Sequence, residues 1–284
     1  MNNIELSTVY LPLLDRVYKQ NSKTSILEGD EATMKRGDNG ELKVAKLDMD
    51  ALGDFSRNDG YTKGSTTFRW ETIKYDKERS QDLRIDRLDN AEALKLPFAK
   101  LSSEFIRTKV VPETDAARIA KIAGTDGIST KAETLNDGAA VISALRACSN
   151  KMDEDEVDAE NRILFITPTL RGTISDLDTT KSKEVLSKFS TIIEVPQTRM
   201  YTKIELKNGK TEYGYAKATD GKEINFLCVE KSAAVVHMEQ FIKYFTPDED
   251  QDGDDNVFKY RNNNLYGHVY ENKLAGVYCS YKAE

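Results

Sequence analysis

The sequence predicts an α+β protein that is organised around one long helix. A helical pattern runs from Asp89 to Gly124, and a glycine-rich pair of strands precedes it over residues 41–86. A compact α/β segment follows over residues 131–230, and further strand-like segments come after it. Helices and strands that fall into separate runs are typical of the α+β class.

The long helix is predicted by its ends and by its apolar face. Asp89 lies three residues before a glutamate, as in a capping box, and Gly124 is a natural residue to follow a helix C-terminus. Pro112 falls inside the helix, where it removes one hydrogen bond and costs roughly 3 kcal/mol. Phe105, Pro112 and Ile119 nevertheless keep a seven-residue spacing, so the apolar face continues through the proline. We therefore expect one bent helix rather than two independent helices.

Composition and charge narrow the classes of protein. Of the 284 residues, 31% are charged and 39% are hydrophobic, and the net charge is −7. An acidic chain is not typical of nucleic-acid-binding proteins, which carry a basic stripe. Cys148, Cys228 and Cys279 show no paired spacing, which predicts reduced thiols rather than disulfides or a zinc site. Because the sequence shows neither a signal-peptide pattern nor an apolar run of roughly 20 residues, we expect a soluble intracellular protein without membrane contact.

Residues 1–40 are predicted to form an N-terminal arm. A short amphipathic stretch contains Val9 and Leu13, and the rest of the arm is polar and rich in glycine and aspartate. Such a segment buries too little apolar surface to be stable alone. We therefore expect the arm to lie on another surface.

Residues 41–86 are predicted to form an extended two-stranded loop. The first strand alternates apolar and polar residues, residues 66–75 form the second, and the connection between them contains three glycines with Asp and Asn neighbours. A two-stranded ribbon is only marginally stable alone in water. This ribbon also carries Phe55, Tyr61 and the sole tryptophan, Trp70. It therefore requires a partner surface, for which a neighbouring subunit is one candidate.

The α/β segment is predicted from short apolar runs and one turn signal. Residues 128–133 are predicted to be a connector and residues 134–152 a helix. Asn208-Gly209 predicts a hairpin, and a short helix is predicted to begin at Pro168. The apolar runs predict buried strands at residues 162–167, 191–195 and 225–229.

The remaining residues are predicted to form strands that pack on the long helix. Residues 236–245 and 257–260 are expected to pair with each other. Residues 265–270 and 274–281 are expected to form a final hairpin. These strands would complete a domain that begins with the long helix.

The sequence offers little chemistry for catalysis. Its two histidines, His237 and His268, lie in strand-like segments, where a histidine is usually structural. No grouping of a nucleophile with a base and no glycine-rich phosphate loop occurs. We therefore expect no enzyme activity and no cofactor.

One acidic stretch, residues 248–259, comes close to the pattern of a calcium-binding loop. Lys259 stands at the twelfth position, where that loop needs a bidentate carboxylate. We expect an exposed acidic turn here, although a metal-binding α/β module stays open as an alternative function. The weak candidates for metal ligands are Asp248, Asp250, Asp252 and Asp254.

Five stretches, taken in order, carry a resemblance to a known family. They are LDMDALGDFSRNDGY (47–61), LRIDRLDNAEA (83–93), EFIRTKVVPETDAARIAKIAG (104–124), ILFITP (163–168) and ENKLAGVYCSYK (271–282). With them the chain resembles the major capsid proteins of tailed bacteriophages, which have the Hong Kong 97 type of fold that encapsulin shells share. It is most similar to capsid proteins of phages and prophages of Gram-positive bacteria.

The resemblance implies a division of the chain. Residues 1–40 would be the N-terminal arm, 41–86 the extended loop that reaches over an adjacent subunit, and 131–230 the axial domain. Residues 87–130 and 231–284 would form the peripheral domain, with the long helix as its spine. The implied contacts between subunits involve Phe55, Arg57, Tyr61, Phe68 and Trp70 of the loop, with Val9 and Leu13 of the arm.

The resemblance also implies partners and a location. Copies of the chain would form pentamers and hexamers of an icosahedral head that encloses double-stranded DNA without sequence-specific binding. A separate scaffolding protein, a portal and a decoration protein would be further partners, and the head would be assembled in the cytoplasm of the bacterial host and belong to the virion. An encapsulin-like compartment is the alternative within the same fold. Lys63 lies near the loop tip, but no crosslinking partner can be assigned to it.

Overall fold

The structure, a computed structural model, describes residues 17–18, 21–29, 34–36, 41–58, 60–87, 96–177, 179–249 and 253–283. Within them the helices are α1 (Leu96–Phe105), α2 (Val111–Ala123), α3 (Gly138–Glu154), α4 (Pro168–Leu177) and α5 (Thr180–Leu186). The strands are β1 (Met34–Arg36), β2 (Glu41–Met49), β3 (Thr66–Lys74), β4 (Lys77–Asp86), β5 (Ser129–Glu133), β6 (Arg162–Ile166), β7 (Thr191–Glu194), β8 (Ile204–Leu206), β9 (Tyr215–Lys217), β10 (Ile224–Glu230), β11 (Ala234–Phe245), β12 (Asp255–Val269) and β13 (Val277–Lys282). The chain divides into two compact units, Gly29–Asp76 and the remainder.

The larger unit contains a central sheet, which in the described residues has the strand order β5-β13-β10-β6-β7. β10 is antiparallel to both of its neighbours, while β5 and β7 lie parallel to β13 and β6 at the two edges. Every residue of β6 and β10 is buried. Strands that are covered on both faces read as continuous apolar runs. This confirms the buried strands predicted at residues 162–167 and 225–229.

The two faces of the central sheet each pack into an apolar cluster. Ile163 and Phe165 of β6 point to one cluster, which α2 covers with Ile119 and Ile122. The alternate residues of β6 point to the opposite cluster, because side chains of a strand alternate between faces. The helices α3, α4 and α5 cover that second face. Burial of each large aliphatic or aromatic side chain contributes roughly 1.5–3 kcal/mol, so these two clusters stabilise the unit.

The long helix predicted around Pro112 is continuous through all of its described residues. α1 leads into a π-helical turn, Ile106–Val110, which leads directly into α2. The N–H of Val111 donates to the carbonyl of Ile106, so this turn is wider than an α turn. Pro112 follows directly as the second residue of α2, so the missing N–H falls just after the π-helical turn. The single helix is confirmed, whereas its predicted start at Asp89 lies outside the described residues.

A flanking sheet of the larger unit lies against this helix. Its strand order in the described residues is β11-β12-β4, antiparallel throughout. Gly267 of β12 permits a close approach to α2, since a Cβ there would lie 2.6 Å from Cγ1 of Ile122. Residues 236–245 and 257–260 pair as predicted.

The predicted hairpin of residues 265–270 with 274–281 is wrong. Residues 265–269 continue β12, and β13 instead enters the central sheet between β5 and β10. β13 is buried at its first four positions, so its apolar residues find more cover in the central sheet than a surface hairpin would give. The predicted connector at 128–133 is accordingly the strand β5, which pairs with β13.

The smaller unit contains a ribbon sheet, which in the described residues has the order β1-β2-β3. The antiparallel pairing of β2 with β3 confirms the two predicted strands of the loop. β1 adds a short third strand that the sequence did not predict. β4 belongs to the flanking sheet of the other unit, so the sequence-based boundary at residue 86 differs from the structural division at Asp76. The sequence does not show which sheet β4 joins. Its residues alternate between exposed and half-buried positions, as those of an edge strand do in either sheet.

Candidate assembly surface

The ribbon sheet has two faces, and on one of them the apolar residues are buried. Leu42, Val44 and Ile73 are 3%, 6% and 7% exposed. Leu42 lies directly opposite Ile73 in the β2–β3 register. Because cross-strand partners share a face of a sheet, these residues lie on the same side.

The other face of the ribbon presents large apolar side chains to solvent. Leu47 lies opposite Phe68, and Met49 and Trp70 follow at two-residue spacing on the same side. The exposed fractions are 56% for Leu47, 65% for Met49, 60% for Phe68 and 38% for Trp70. The rings of Phe68 and Trp70 meet edge to face, with centroids 5.7 Å apart. We call these four residues the apolar face; contiguous exposed apolar patches are uncommon on monomeric proteins and mark interaction sites.

The loop between β2 and β3 extends this apolar character to the tip of the ribbon. Leu52 is fully exposed, and Phe55 and Tyr61 are 61% and 88% exposed. The Phe55 and Tyr61 rings lie edge to face with centroids 5.2 Å apart. Aromatic contacts of this geometry contribute about 0.5–1.5 kcal/mol, so the two rings support each other without becoming buried.

Hydrogen bonds of backbone N–H groups, one of them to a side-chain carboxylate, give the tip a defined conformation. The N–H of Asp50 donates to the carbonyl of Ser65 over 3.1 Å, and the N–H of Ser65 donates to Oδ2 of Asp50 over 2.7 Å. Ser56 and Gly60 exchange two further bonds of 3.2 and 2.8 Å. Gly60 has φ of +82°, a conformation that favours glycine. The exposed aromatic residues therefore stand on an ordered turn.

The residues that the sequence predicts for subunit contacts fall into two groups. Phe55, Tyr61, Phe68 and Trp70 lie on the tip or the apolar face, and Arg57 is exposed in the turn at the tip. Val9 and Leu13 lie outside the described residues. The sequence reading missed Leu47, Met49 and Leu52 as contact candidates. The two-residue spacing of Leu47 and Met49, read in register with Phe68, is the signal that could have found the first two.

In the described part of the acidic turn, Asp248 and Asp254 form ion pairs with Arg87. Nη1 of Arg87 donates to Oδ1 of Asp248 over 3.2 Å and to Oδ1 of Asp254 over 3.4 Å. These contacts raise the pKa of Arg87, chiefly through its hydrogen bond to Asp254. Asp250 and Asp252 lie outside the described residues. Elsewhere in the described ranges, no group of three His, Cys, Asp or Glu side chains is placed to hold a metal ion.

The three cysteines lie in the core. Cys148, Cys228 and Cys279 are all buried and unpaired by disulfides. Burial raises the pKa of Cys279 to about 12, and a hydrogen bond with Cys228, together with burial, raises the pKa of Cys148 well above its ordinary value. A protonated thiol is a poor nucleophile and a poor metal ligand.

Among the helices that the structure describes, no helix is long and apolar enough to span a membrane.

Similarity to known proteins lies in the fold rather than in the sequence. No protein-family model matches the chain, and no curated protein matches it by sequence. Among solved structures, the chain is similar to one from Mycobacterium phage Che8, with a TM-score of 0.56, 12% identity and 89% of both chains covered. It is equally similar to a chain from the capsid of Cyanophage P-SCSP1u, with a TM-score of 0.56, 15% identity and coverage of 88% of this chain and 85% of that chain.

A third similar structure is a virus-like particle from Pyrococcus furiosus. It has a TM-score of 0.56 and 10% identity, and the alignment covers 95% of this chain and 99% of that one. At these identities the likeness concerns the fold alone, and it extends over nearly the whole chain. The chain has the α+β, Hong Kong 97 type of fold that the sequence predicts.

Proposed function

We propose that the chain is a structural major capsid protein, which self-assembles into the icosahedral head of a tailed phage or prophage around double-stranded DNA. The observation that carries this proposal is the apolar face and tip of the ribbon, seven large apolar residues in a protein with a capsid fold. They are Leu47, Met49, Leu52, Phe55, Tyr61, Phe68 and Trp70. Burial of one such side chain contributes roughly 1.5–3 kcal/mol, so covering several of them favours association and offsets part of its entropic cost.

The partner that best fits this surface is another copy of the chain. In a closed shell every subunit presents the same ribbon, so the same contact repeats around each ring of subunits. Arg57 and Lys63 stand at the tip beside the aromatic residues and supply a polar rim. We propose pentamers and hexamers as the rings, with the arm (residues 1–40) and the loop (41–86) as the connecting segments.

The remaining segments of the chain have corresponding roles in the proposal. Residues 131–230 form the axial domain around the symmetry axes, and residues 87–130 with 231–284 form the peripheral domain. β13 contributes a strand to the central sheet, so the C-terminal residues join the two domains. The chain performs no catalysis in this role, and a scaffolding protein, a portal and a decoration protein are its proposed partners. Assembly takes place in the host cytoplasm, and the product is part of the virion.

The test is assembly of the purified protein, with two variants of neighbouring residues. Phe68 lies on the apolar face, while Thr67 is exposed on the opposite face of the same strand. We expect particles in electron micrographs for the unmodified protein and for Thr67→Glu, and their loss for Phe68→Glu, because a buried unpaired carboxylate is strongly unfavourable. Protein that stays monomeric at high concentration, or Phe68→Glu that assembles normally, would contradict the proposal.

An encapsulin-like compartment is the second candidate, since the virus-like particle from Pyrococcus furiosus has the same TM-score, 0.56, as the chains from the two phages. Both candidates use the same assembly surface, so the content of the particles separates them. We expect nuclease-protected double-stranded DNA in particles recovered from the native host, and portal and terminase genes beside the coding sequence. A packaged enzyme with a docking tail, and no protected DNA, would favour the compartment.

A metal-binding module is a third and weaker candidate. Asp248 and Asp254 already share the guanidinium of Arg87, which satisfies part of their acceptor capacity. We expect no heat when calcium or magnesium is titrated into the protein at millimolar concentration. Saturable binding that Asp254→Asn abolishes would revive this candidate.

A further inference from the structure

A short N-terminal segment is fixed to the long helix through the buried carboxylate of Asp115. This segment, called here the brace, consists of the described residues 17–18 and 21–28. Oδ1 of Asp115 accepts hydrogen bonds from Oγ of Ser22 and Oγ1 of Thr24, both at 2.7 Å, and from the N–H of Thr24 at 3.2 Å. Oδ2 accepts from the N–H of Lys23 at 2.9 Å and from Nη1 of Arg199 at 3.1 Å. Asp115 is 0% exposed, so its charge depends on these donors.

Arg118, one turn further along α2, holds the other part of the brace. It is also fully buried. Nη1 donates to Oγ1 of Thr24 over 3.4 Å, and Nη2 donates to Oε1 of Glu28 over 3.2 Å. The guanidinium carbon lies 5.8 Å from the centre of the Tyr18 ring. The two buried charges of α2 thus contact the brace at Tyr18, at residues 22–24 and at Glu28.

Tyr18, at the start of the brace, lies against the π-helical turn. It is 0% exposed and belongs to the same apolar cluster as Ile106 and Val110 of that turn. Phe258 and Tyr260 of β12 complete the cluster. Burial raises the pKa of Tyr18 above its ordinary value. The widest turn of the long helix is therefore covered by a residue that is distant in sequence.

The π-helical turn is the irregular part of the long helix, because the hydrogen bond from Val111 to Ile106 spans five residues rather than four. Pro112 lacks an N–H and cannot continue an ordinary α-helical ladder through this position, so the turn has no equally good regular alternative. π-helical turns inside α-helices frequently occur at functional sites. What keeps this one ordered is the packing of Ile106 and Val110, which Tyr18 completes.

We propose that the brace is a removable strap that locks a hinge in the long helix. The ionic contacts of Asp115 and Arg118 fix the brace, and the fixed brace seats Tyr18 on the π-helical turn. Release of the brace frees the turn between α1 and α2. Because such coupling is reciprocal, a change at the turn also weakens the hold on the brace. The brace and the turn belong to one chain, so their coupling does not depend on assembly into a shell.

Hydrogen exchange followed by mass spectrometry tests the coupling in the full-length chain. Asp115→Asn places an amide among the donors that now face a carboxylate. We expect exchange to become about tenfold faster or more in peptides that cover residues 21–28 and, in parallel, in peptides that cover residues 105–111, since bonds to charged groups are among the strongest. Peptides from β6 and β10 should keep their protection. Faster exchange of the brace with an unchanged turn, or no change in the brace, would overturn the proposal.

Glu113→Gln is the matched control. Glu113 lies on the same helix and accepts from Nε and Nη2 of Arg79 at 2.7 and 3.0 Å, in a contact with β4 rather than with the brace. We expect its exchange in the brace and in the turn to stay within about twofold of the unmodified protein, because the donors on Asp115 are intact. An equal loss of protection in this control would show general destabilisation and would refute the specific role of Asp115.

Tyr18→Leu provides a second test, which also serves if Asp115→Asn does not fold. This variant leaves every donor to Asp115 in place and removes only the ring that covers the turn. We expect the larger increase in exchange at residues 105–111 and a smaller one at residues 21–28. Full protection of the turn in Tyr18→Leu would overturn the proposal.

Discussion

The central sheet and the ribbon sheet use similar residues in opposite ways. β6 and β10 bury every residue, and their apolar side chains find partners within the same unit. β3 carries Phe68 and Trp70, but presents both of them to solvent. The central sheet is therefore stabilised by contacts within its own unit, whereas the ribbon leaves large apolar side chains exposed. The difference predicts that equal substitutions in the two sheets will have different consequences.

The largest difference is expected for the removal of a phenylalanine ring. Phe226 of β10 is 0% exposed and stacks on Tyr278, so Phe226→Ala should lower the free energy of unfolding by roughly 3–5 kcal/mol. Phe68→Ala, on the apolar face, should change the stability of the unassembled chain by no more than about 0.5 kcal/mol. Chemical denaturation of the unassembled protein measures both. Similar losses in the two variants would mean that the apolar face is covered within the chain.

Alkaline pH is expected to weaken the larger unit through its buried acidic groups. Burial raises the pKa of Cys279 from 9.0 to about 12, so the folded state holds this proton more tightly than the unfolded state does. The stabilisation is complete below pH 9 and is lost as the pH rises towards 12, at about 1.4 kcal/mol per pH unit. Burial also raises the pKa of Tyr278 to about 12, which acts in the same direction. In thermal unfolding between pH 8 and 11, Cys279→Ala should show a shallower decline of Tm; an equal decline would exclude Cys279 as a cause.

Glycine substitutions offer a smaller contrast between the two regions. A Cβ on Gly138, at the start of α3, would lie 2.3 Å from the carbonyl oxygen of Thr173. Gly138→Ala should therefore cost about 1–3 kcal/mol, because backbone must move. Gly64 in the ribbon loop has its nearest neighbour, Cβ of Asp50, at an ordinary 3.7 Å, so Gly64→Ala should be tolerated. Differential scanning calorimetry of both variants checks the contrast, which fails if Gly64→Ala is the more damaging.

The smallest effect is expected at the acidic turn. Arg87 contacts Asp248 and Asp254 through side chains that are all more than half exposed, and surface ion pairs of this kind contribute little. Arg87→Ala should leave Tm indistinguishable from that of the unmodified protein. A clear fall in Tm would mean that the turn is a structural element rather than a solvated loop.

The sequence predicted those parts of the fold whose signal is local. The apolar runs identified β6 and β10, and the seven-residue spacing carried the long helix through Pro112. The π-helical turn was not predictable, because it depends on packing against Tyr18, Phe258 and other distant residues. β5 was missed because its sequence, STKAE, carries no apolar pattern, and its strand conformation comes from pairing with β13.

The candidate assembly surface was predicted only in part, because some of its residues have a local signal and others depend on the pairing of strands. Bulky aromatic residues in a loop stand out in a sequence, so Phe55, Tyr61, Phe68 and Trp70 were identified. Leu47 and Met49 resemble ordinary core residues of a strand, and only the register with β3 shows that they share the exposed face. The sequence predicted that the arm lies on another surface, but not which residues hold the brace, since Asp115 and Arg118 look like the polar side of a surface helix.

The strand order of the central sheet interleaves distant parts of the chain. β5, β6 and β7 precede the β8–β9 hairpin, whereas β10 and β13 follow it, yet β13 and β10 lie between β5 and β6. A chain cleaved in the loop of that hairpin, between Leu206 and Tyr215, would thus yield two fragments whose strands interlock in one sheet. We expect the fragments to remain associated after such a cut and to complement each other when expressed separately. We expect a protein with this topology to tolerate a broken backbone, because strands from both sides of the cut pair with each other in one sheet.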